Sequence, residues 1–411
     1  MRTTVVIIGG GQAGLAMSRC LTDSSIDHVV LERGVVANSW RTERWDSLRL
    51  LTPNWMTRLP DWSYSGPDPD GFMRAGEVAT FLDAYRASFD APVVEECRVD
   101  HVEPADGGHR VVTNHGVFDC KAVVVATGAC STPKIPGIAD SLPGAIRQLA
   151  PIHYLNPEQI DRGGVLVVGA SASGAQIADE LARDGHDVTL AVGEHTRLPR
   201  SYRGMDIHWW MDSLGLLSER YDDVEDISKA RRAPSLQLVG TPERRDLDLN
   251  ALSSAGVRLA GRVAGVTDRQ VQFSGGFANA IAGADLKMGR LLDAIDEHAT
   301  ARGLDPELPD VYRPARTNVA DTPLTIDLDS IGTIVWATGF APSYPWLPPV
   351  VLDRKGAISH DGGVMPLAGM YALGLPFLRS RKSTFLDGVG PDAIELSSRV
   401  AAHLDTVAAT R

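Results

Sequence analysis

Residues 4–8, reading TVVII, form a short apolar run that stops at Gly9, Gly10 and Gly11. Apolar positions then recur at helical spacing through Ala13, Leu15, Ala16 and Leu21, and a second apolar run from His28 ends at Glu32. This change of period predicts strand, glycine turn, helix, strand, which is a βαβ unit. The same order returns about 160 residues later in GGVLVVGASASGAQIADELARDGHDVTLAV. Between the two lie a loop rich in tryptophan and arginine, the turn tract SGPDPDG, the helix GEVATFLDAYRASF and the strand-like runs RVVT and GVFDCKAVVVATG. Beyond the second unit, Ala284, Met288, Leu291, Leu292 and Ile295 mark an amphipathic helix. A strand at 332–340, GTIVWATGF, follows, and GVGPDA opens a terminal helix that is expected to return to the first unit.

These elements predict an α/β fold of two dinucleotide-binding, Rossmann-like domains, the second inserted into a discontinuous first. The expected boundaries are 1–160 and 326–411 for the first domain and 161–325 for the second. A length of 411 residues suits two cores, since single cores stop growing near ~250–300 residues.

Charge and cysteine usage narrow the chemistry. Forty Lys and Arg against 52 Asp and Glu leave −12, which opposes binding to nucleic acid or an anionic lipid surface. Cys20, Cys97, Cys120 and Cys130 form no C-x-x-C pair and no metal-ligand spacing, so neither a metal site nor a redox dithiol is expected, and each reads as a small core residue. No export signal or apolar stretch of membrane-spanning length is seen, from which a cytoplasmic protein is expected.

The candidate chemistry sits at the glycine turns. In Gly9-x-Gly11-x-x-Gly14, the first glycine permits the tight turn, the second lets backbone approach a pyrophosphate, and the third allows close helix packing. The helix N-terminus then offers free N–H groups to the negative charge, with Gln12 and Ala13 in its first turn. Glu32, followed by Arg33, closes the next strand where a carboxylate can accept from ribose hydroxyls, and the N-terminal position favours FAD. The second turn reads Gly169-Ala-Ser171-Ala-Ser173-Gly174, and its following strand ends without an acid. Arg197, Arg200 and Arg203 come soon after, a pattern that favours the 2′-phosphate of NADPH, with Arg197 the leading candidate and a solvated loop the alternative for the others. The paired strand ends VVVATG, with Ala126, Thr127 and Gly128, and IVWATG, with Thr338 and Gly339, place small residues where backbone must pass close to a cofactor or another strand.

The segments VVIIGGGQAG, WRTERWDSLRLLTPNWMTRLP, VVVATG, VLVVGASASGAQIADEL, WATGF and GLPF…FLDGVG together resemble the class B flavin-dependent monooxygenase group: flavin-containing monooxygenases, YUCCA enzymes and CzcO-like oxidoreductases. The resemblance spans nearly the whole chain. It implies an FAD- and NADPH-dependent monooxygenase that uses O2 as cosubstrate, through a flavin C4a-peroxide, on a small organic substrate. It implies too that Trp40, Arg41, Trp45, Thr52 and Asn54 lie near the flavin, Val99 near the adenine, Ala337 to Gly339 by the interdomain linker, and Asp387 within the cofactor site. No residue is singled out as catalytic beyond Trp45 and Asn54 as flavin-proximal candidates. An apolar or aromatic substrate face would draw on Trp55, Trp209, Trp210, Tyr344, Trp346 or Phe377. The family's F-x-G-x-x-x-H-x-x-x-Y/W fingerprint is partial here: with Tyr154 in the aromatic position, Ala150 stands at the histidine position and His153 is displaced. Two alternatives follow: a flavin reductase or dehydrogenase without oxygen insertion, and a non-catalytic dinucleotide-binding regulator. A homodimer is compatible with either.

Overall fold

The computed structural model describes residues 1–267, 269–318 and 322–409. In chain order the elements that position the site begin with β1 (Val5–Ile8), α1 (Gln12–Asp23), β2 (His28–Leu31), α2 (Ala75–Ser88) and β3 (Val93–Val94). A three-stranded antiparallel meander follows, β4 (Val99–Ala105), β5 (Gly108–Thr113) and β6 (Gly116–Cys120), then β7 (Ala122–Val125) and β8 (Arg147–Leu149). The second unit contains β9 (Gly164–Val168), α3 (Ala172–Arg183), β10 (Val188–Ala191), β11 (Thr196–Arg197), α4 (Ile207–Ser213), β12 (Leu236–Gln237) and β13 (Arg258–Ala260). A second antiparallel meander, β14 (Val263–Val266), β15 (Gln270–Phe273) and β16 (Thr325–Asp327), holds α5 (Phe277–Ala301) between its second and third strands. The chain closes with β17 (Ile331–Trp336), β18 (Met370–Ala372) and α6 (Leu386–Ala409).

The strands assemble into two five-stranded parallel sheets of matching plan. One runs β18-β7-β1-β2-β3 and the other β8-β17-β9-β10-β13. Parallel strands flanked by helices are buried on both faces, which accounts for uninterrupted apolar runs such as Val5–Ile8 and Ala122–Val125, every residue of which is buried. Helix α6 docks on α1. Leu386, Val389, Ala393, Leu396 and Val400 all join the first core there, so the C-terminus does return to the first sheet.

The sheets redraw the expected boundaries. β8, at 147–149, and β17, at 331–336, both belong to the second sheet, although they fall outside the 161–325 span expected for that domain. The reason is hydrogen-bond register: β17 pairs along the whole of β9, with Val168 opposite Trp336, just as β7 pairs along β1, with Ile8 opposite Val125. The chain crosses between sheets twice, at 126–136 and 337–344, and the crossings run side by side. Lys134 N–H donates to the Gly339 carbonyl and Ala341 N–H to the Thr132 carbonyl, each at 2.9 Å.

Three of the four cysteines are buried as expected, but Cys130, on the first crossing, is exposed. The amphipathic helix expected around 284–295 is α5. Its Met288, Leu292 and Ile295 pack with Leu198, Tyr202, Ile207 and Trp210 rather than directly on the second sheet's central strands.

Candidate functional site

Both glycine turns stand at the carboxyl end of a central parallel strand, the position where open α/β sheets bind ligands. In the first, Gly9 has φ of 112° and leaves no room for a side chain: a Cβ there would lie 2.6 Å from the Ala126 carbonyl oxygen. In the second, Gly169 has φ of 107° and a Cβ would lie 2.3 Å from the Ala337 carbonyl oxygen. Gly14 and Gly174 repeat the match one turn later, where a Cβ would sit 1.8 Å from the carbonyl of Gly9 or Gly169. Gly11 differs from all of these. Its added Cβ would meet nothing within 4 Å, so the space above it is open for a group that is not protein. This cradle fits a pyrophosphate, with the N-terminus of α1 beside it.

Hydrogen bonding makes the ends of the second strands of the two units directly comparable. Gly9 N–H donates to the Leu31 carbonyl and Glu32 N–H to the Val94 carbonyl, while Gly169 N–H donates to Ala191 and Val192 N–H to Ala260. Val192 therefore occupies in the second unit the place of Glu32 in the first. Glu32 is buried, with Oε2 accepting from Gly10 N–H at 2.7 Å and Oε1 from Gly34 N–H at 2.9 Å, which fixes the carboxylate beside the turn. Glu95, just past β3, adds a second acid by accepting from Val36 N–H at 2.8 Å. The second unit has Gly193 after Val192 and Gly261-Arg262 after β13, so acids give way to glycine and a cation. The stem of Arg262 passes Gly193, its Cδ 3.8 Å from where a Cβ would stand. Its exposed guanidinium has no ion pair or hydrogen bond among the described residues.

The three arginines singled out by their spacing turn inward. Arg197 is buried, its Nε and Nη2 donating to Asp248 (2.9 and 2.7 Å), Nη1 to Asp285 (2.6 Å) and Nη2 to the Ala315 carbonyl as well. With four of its five N–H donors engaged by Asp248, Asp285 and the Ala315 carbonyl and its side chain buried, Arg197 is held as a structural tie rather than as the phosphate ligand its spacing suggested. Arg203 is likewise held by Asp296, Asp305 and the Pro309 carbonyl. Arg200 is fully buried beneath the Phe72 ring and donates to Leu51 carbonyl, Asp206 and His208 Nδ1. Burial lowers the pKa of Arg200 and of His208 despite the neighbouring Asp206 carboxylate. These contacts pin the segment around 200–208 to the 51–54 loop of the first unit.

The other expected site residues divide in the same way. Gln12 links three elements: its Oε1 accepts from Trp40 Nε1 at 3.1 Å and its Nε2 donates to the Thr384 carbonyl at 3.2 Å. Ala13 faces Gly374, where a Cβ would come within 2.8 Å of its methyl. Asp387, in the first turn of α6, is buried between Arg58 and Lys382, each at 2.6 Å. Val99 starts β4, two residues after Cys97, whose N–H donates to the Glu32 carbonyl. Thr52 is half-buried and Thr127 exposed. Gly128 and Gly339 have positive φ at the starts of the two crossings, and Thr338 donates to the Lys134 carbonyl. Ser171 stands at the N-cap position of α3 without a side-chain capping bond, with Ser173 half-buried in the helix's first turn.

Arg33 and Arg41 are engaged elsewhere, by Glu43 and Asp83. Asn54 spends both ends of its amide on the 68–73 loop, accepting from Met73 N–H and donating to the Asp68 carbonyl. Trp45 packs into the second unit's core with Tyr154 and Val165. Among the aromatic substrate-face candidates, Trp210 and Phe377 are buried, the former in the core with Tyr202. Tyr154 is also core, its hydroxyl donating to Glu180 on α3, whereas His153 is exposed. The missed residue is Arg262. Its sequence signal is the short run Val257-Arg258-Leu259-Ala260 ending in glycine, which becomes informative once β13 is known to lie beside β10.

Two parallel-sheet units, each with a glycine turn beneath an open nucleotide position, define a paired dinucleotide-binding oxidoreductase. A family model described as pyridine nucleotide-disulphide oxidoreductase matches residues 6–209. An uncharacterized CzcO-like oxidoreductase of Geobacillus kaustophilus is 32% identical over 97% of this chain and 98% of its own. The probable indole-3-pyruvate monooxygenase YUCCA10 of Arabidopsis thaliana is 31% identical over 49% of this chain and 53% of its own. Among solved structures, a flavin-containing monooxygenase from Stenotrophomonas maltophilia superposes with a TM-score of 0.67 at 21% identity, covering 98% of this chain and 99% of that one. The chain belongs to the CzcO-like oxidoreductases, and is a flavin-dependent oxidoreductase. No described helix is long and apolar enough to cross a membrane, and the described residues contain no cluster of metal-ligating side chains.

Two outcomes follow from this geometry. Gly11→Val fills open cradle space and is expected to yield a folded, colourless protein, whereas Gly14→Ala meets backbone and should lower stability by at least about 1–3 kcal/mol; flavin absorbance and urea unfolding separate the two. Arg197→Ala strands two carboxylates and should lose about 3–5 kcal/mol of stability in the same unfolding assay, with the preference between NADPH and NADH unchanged.

Proposed function

We propose that this protein is an NADPH-dependent FAD monooxygenase that places one oxygen atom from O2 on a small organic substrate, with FAD at the first cradle and NADPH at the second. The observation that carries the reading is the duplicated cradle with opposite ends: Glu32 beside the first turn, and Val192 with Arg262, unpaired among the described residues, beside the second. A buried carboxylate accepts from ribose hydroxyls and repels a 2′-phosphate, while an unpaired guanidinium attracts one. The kinship with CzcO-like and YUCCA proteins supports oxygen chemistry.

When bound, the flavin supplies the redox chemistry, taking electrons from the nicotinamide and passing them to oxygen. The residues of this chain bind and orient. The glycine turns hold the two pyrophosphates, Glu32 orients one ribose and Arg262 selects the other. Gln12 fixes Trp40 and the 384 carbonyl on either side of the first cradle, and Asp387 is kept between Arg58 and Lys382 at the head of α6. Arg200 holds the 51–54 loop against the second unit, limiting water entry along that seam. The substrate is read as small and apolar or aromatic, with no role for nucleic acid, a membrane span or a resident metal, and the cytoplasm is the proposed location.

One observation favours a flavin reductase without oxygen insertion: Ala150 occupies the fingerprint's histidine position and is buried, while His153 is exposed. Product mass analysis under 18O2, with NADPH and a panel of amines, sulfides, ketones and aromatic acids, decides between them. A single labelled oxygen in a product is expected; NADPH consumption that yields hydrogen peroxide and no labelled product assigns the reductase. Arg262→Ala should weaken NADPH binding by about 1–3 kcal/mol and leave NADH binding unchanged in anaerobic titrations of flavin reduction. An unaltered ratio of the two affinities removes Arg262 from the site.

A further inference from the structure

The two cradles differ at the helix N-terminus. At the second, Ala172 N–H, in the first turn of α3, donates to Ser235 Oγ at 3.3 Å. Ser235 is exposed and arrives from far along the chain, on the segment leading into β12. Its hydroxyl acts there only as an acceptor, and its own proton has no partner among the described residues. The segment is firmly placed: β12 pairs with β11, with Thr196 opposite Leu236 and Arg197 opposite Gln237. Gln237 Nε2 donates to the Ala170 carbonyl inside the glycine turn at 2.6 Å, and Gln176 Nε2 on α3 donates to the Leu238 carbonyl at 2.7 Å.

A second observation points to a ligand at the same place. Gln237 is fully buried, yet its Oε1 accepts no hydrogen bond among the described residues, although the other end of the same amide is fixed to the turn. Buried acceptors are ordinarily satisfied, and this one lies beside the glycine turn that its own amide nitrogen holds. Neither helix is capped by its own N-cap side chain, and among the described residues the first turn of α1 has no visitor corresponding to Ser235; Glu32, which accepts from Gly10 N–H, comes from the adjoining strand.

We propose that Ser235 is a pyrophosphate ligand of the second cradle. In the free site its hydroxyl stands where a phosphate oxygen accepts from Ala172 N–H. On binding, the phosphate takes that N–H and the serine, turning about its Cα–Cβ bond, donates its unspent proton to the phosphate. One neutral hydrogen bond is exchanged for two to a charged acceptor, and the site is closed on the side opposite the glycine turn. The proposal rests on reading the second cradle as the nicotinamide dinucleotide site, and it adds a ligand from outside the βαβ unit.

The test uses the flavin-loaded protein under anaerobic conditions, with flavin reduction followed as NADPH is titrated. Ser235→Ala is expected to raise the NADPH Kd about tenfold, as for loss of a hydrogen bond to a charged group, with flavin content and limiting reduction rate unchanged. Ser235→Thr, which keeps the hydroxyl, should restore tight binding. Ser235→Asp should weaken binding further, because its carboxylate takes the amide and repels the phosphate. NADH should respond to each variant as NADPH does, since both carry the pyrophosphate. An unchanged Kd in Ser235→Ala overturns the proposal, and so does tighter binding, which would make the hydroxyl a competitor. Failure of unmodified protein to be reduced by either nucleotide would instead overturn the reading of the second cradle, before any variant is compared.

Discussion

The close approach of backbone to backbone at the head of each sheet is the constraint from which the site follows. Gly9 lies against the Ala126 carbonyl and Gly169 against Ala337, and in each turn the third glycine lies against the carbonyl of the first. A side chain at any of these points would push helix from strand. With glycine there, α1 and α3 start directly over the carboxyl ends of β1 and β9, and the N–H groups of their first turns face the space where a phosphate can sit. The small residues of the two ATG strand ends serve the same contact from the other side.

That shared backbone geometry leaves selectivity to the side chains around it. Equivalent hydrogen bonds place Glu32 and Val192 at the same point of the two units, so the electrostatic difference between them is a local substitution on a common frame. Carboxylates beside the first turn and a cation, unpaired among the described residues, beside the second make the two cradles electrostatically opposite without any change in fold. The paired crossings at 132–134 and 339–341 bind the two frames together where the strand ends meet.

Long-range ion pairs explain why the arginine cluster is not the nucleotide grip its spacing suggests. Arg197 finds Asp248 and Asp285, 51 and 88 residues away, and Arg203 finds Asp296 and Asp305. Asp285 and Asp296 lie on α5 and Asp305 just past it, so these pairs draw the 197–208 segment onto that helix, and Arg200 then reaches the Leu51 carbonyl. A buried guanidinium requires such partners, because an unpaired charge away from water is strongly disfavoured. The same segment brings β11 and β12 against the second turn, so the arginines act on the site by placing its walls.

The sequence by itself determined both βαβ units, their glycine turns, Glu32 and the return of the last helix, because each is written in adjacent residues as a change of hydrophobic period or a required small side chain. Tertiary structure decided the rest. β8 and β17 joined the second sheet through strand register, Trp45 entered the second core, and Asn54 was consumed by a neighbouring loop. Arg262, Gln237 and Ser235 reach the second cradle from residues 235–262, well beyond the unit's own motif. A local pattern can specify which backbone turns and which face is apolar, but which charge finds which partner depends on separations that exist only after the chain has folded.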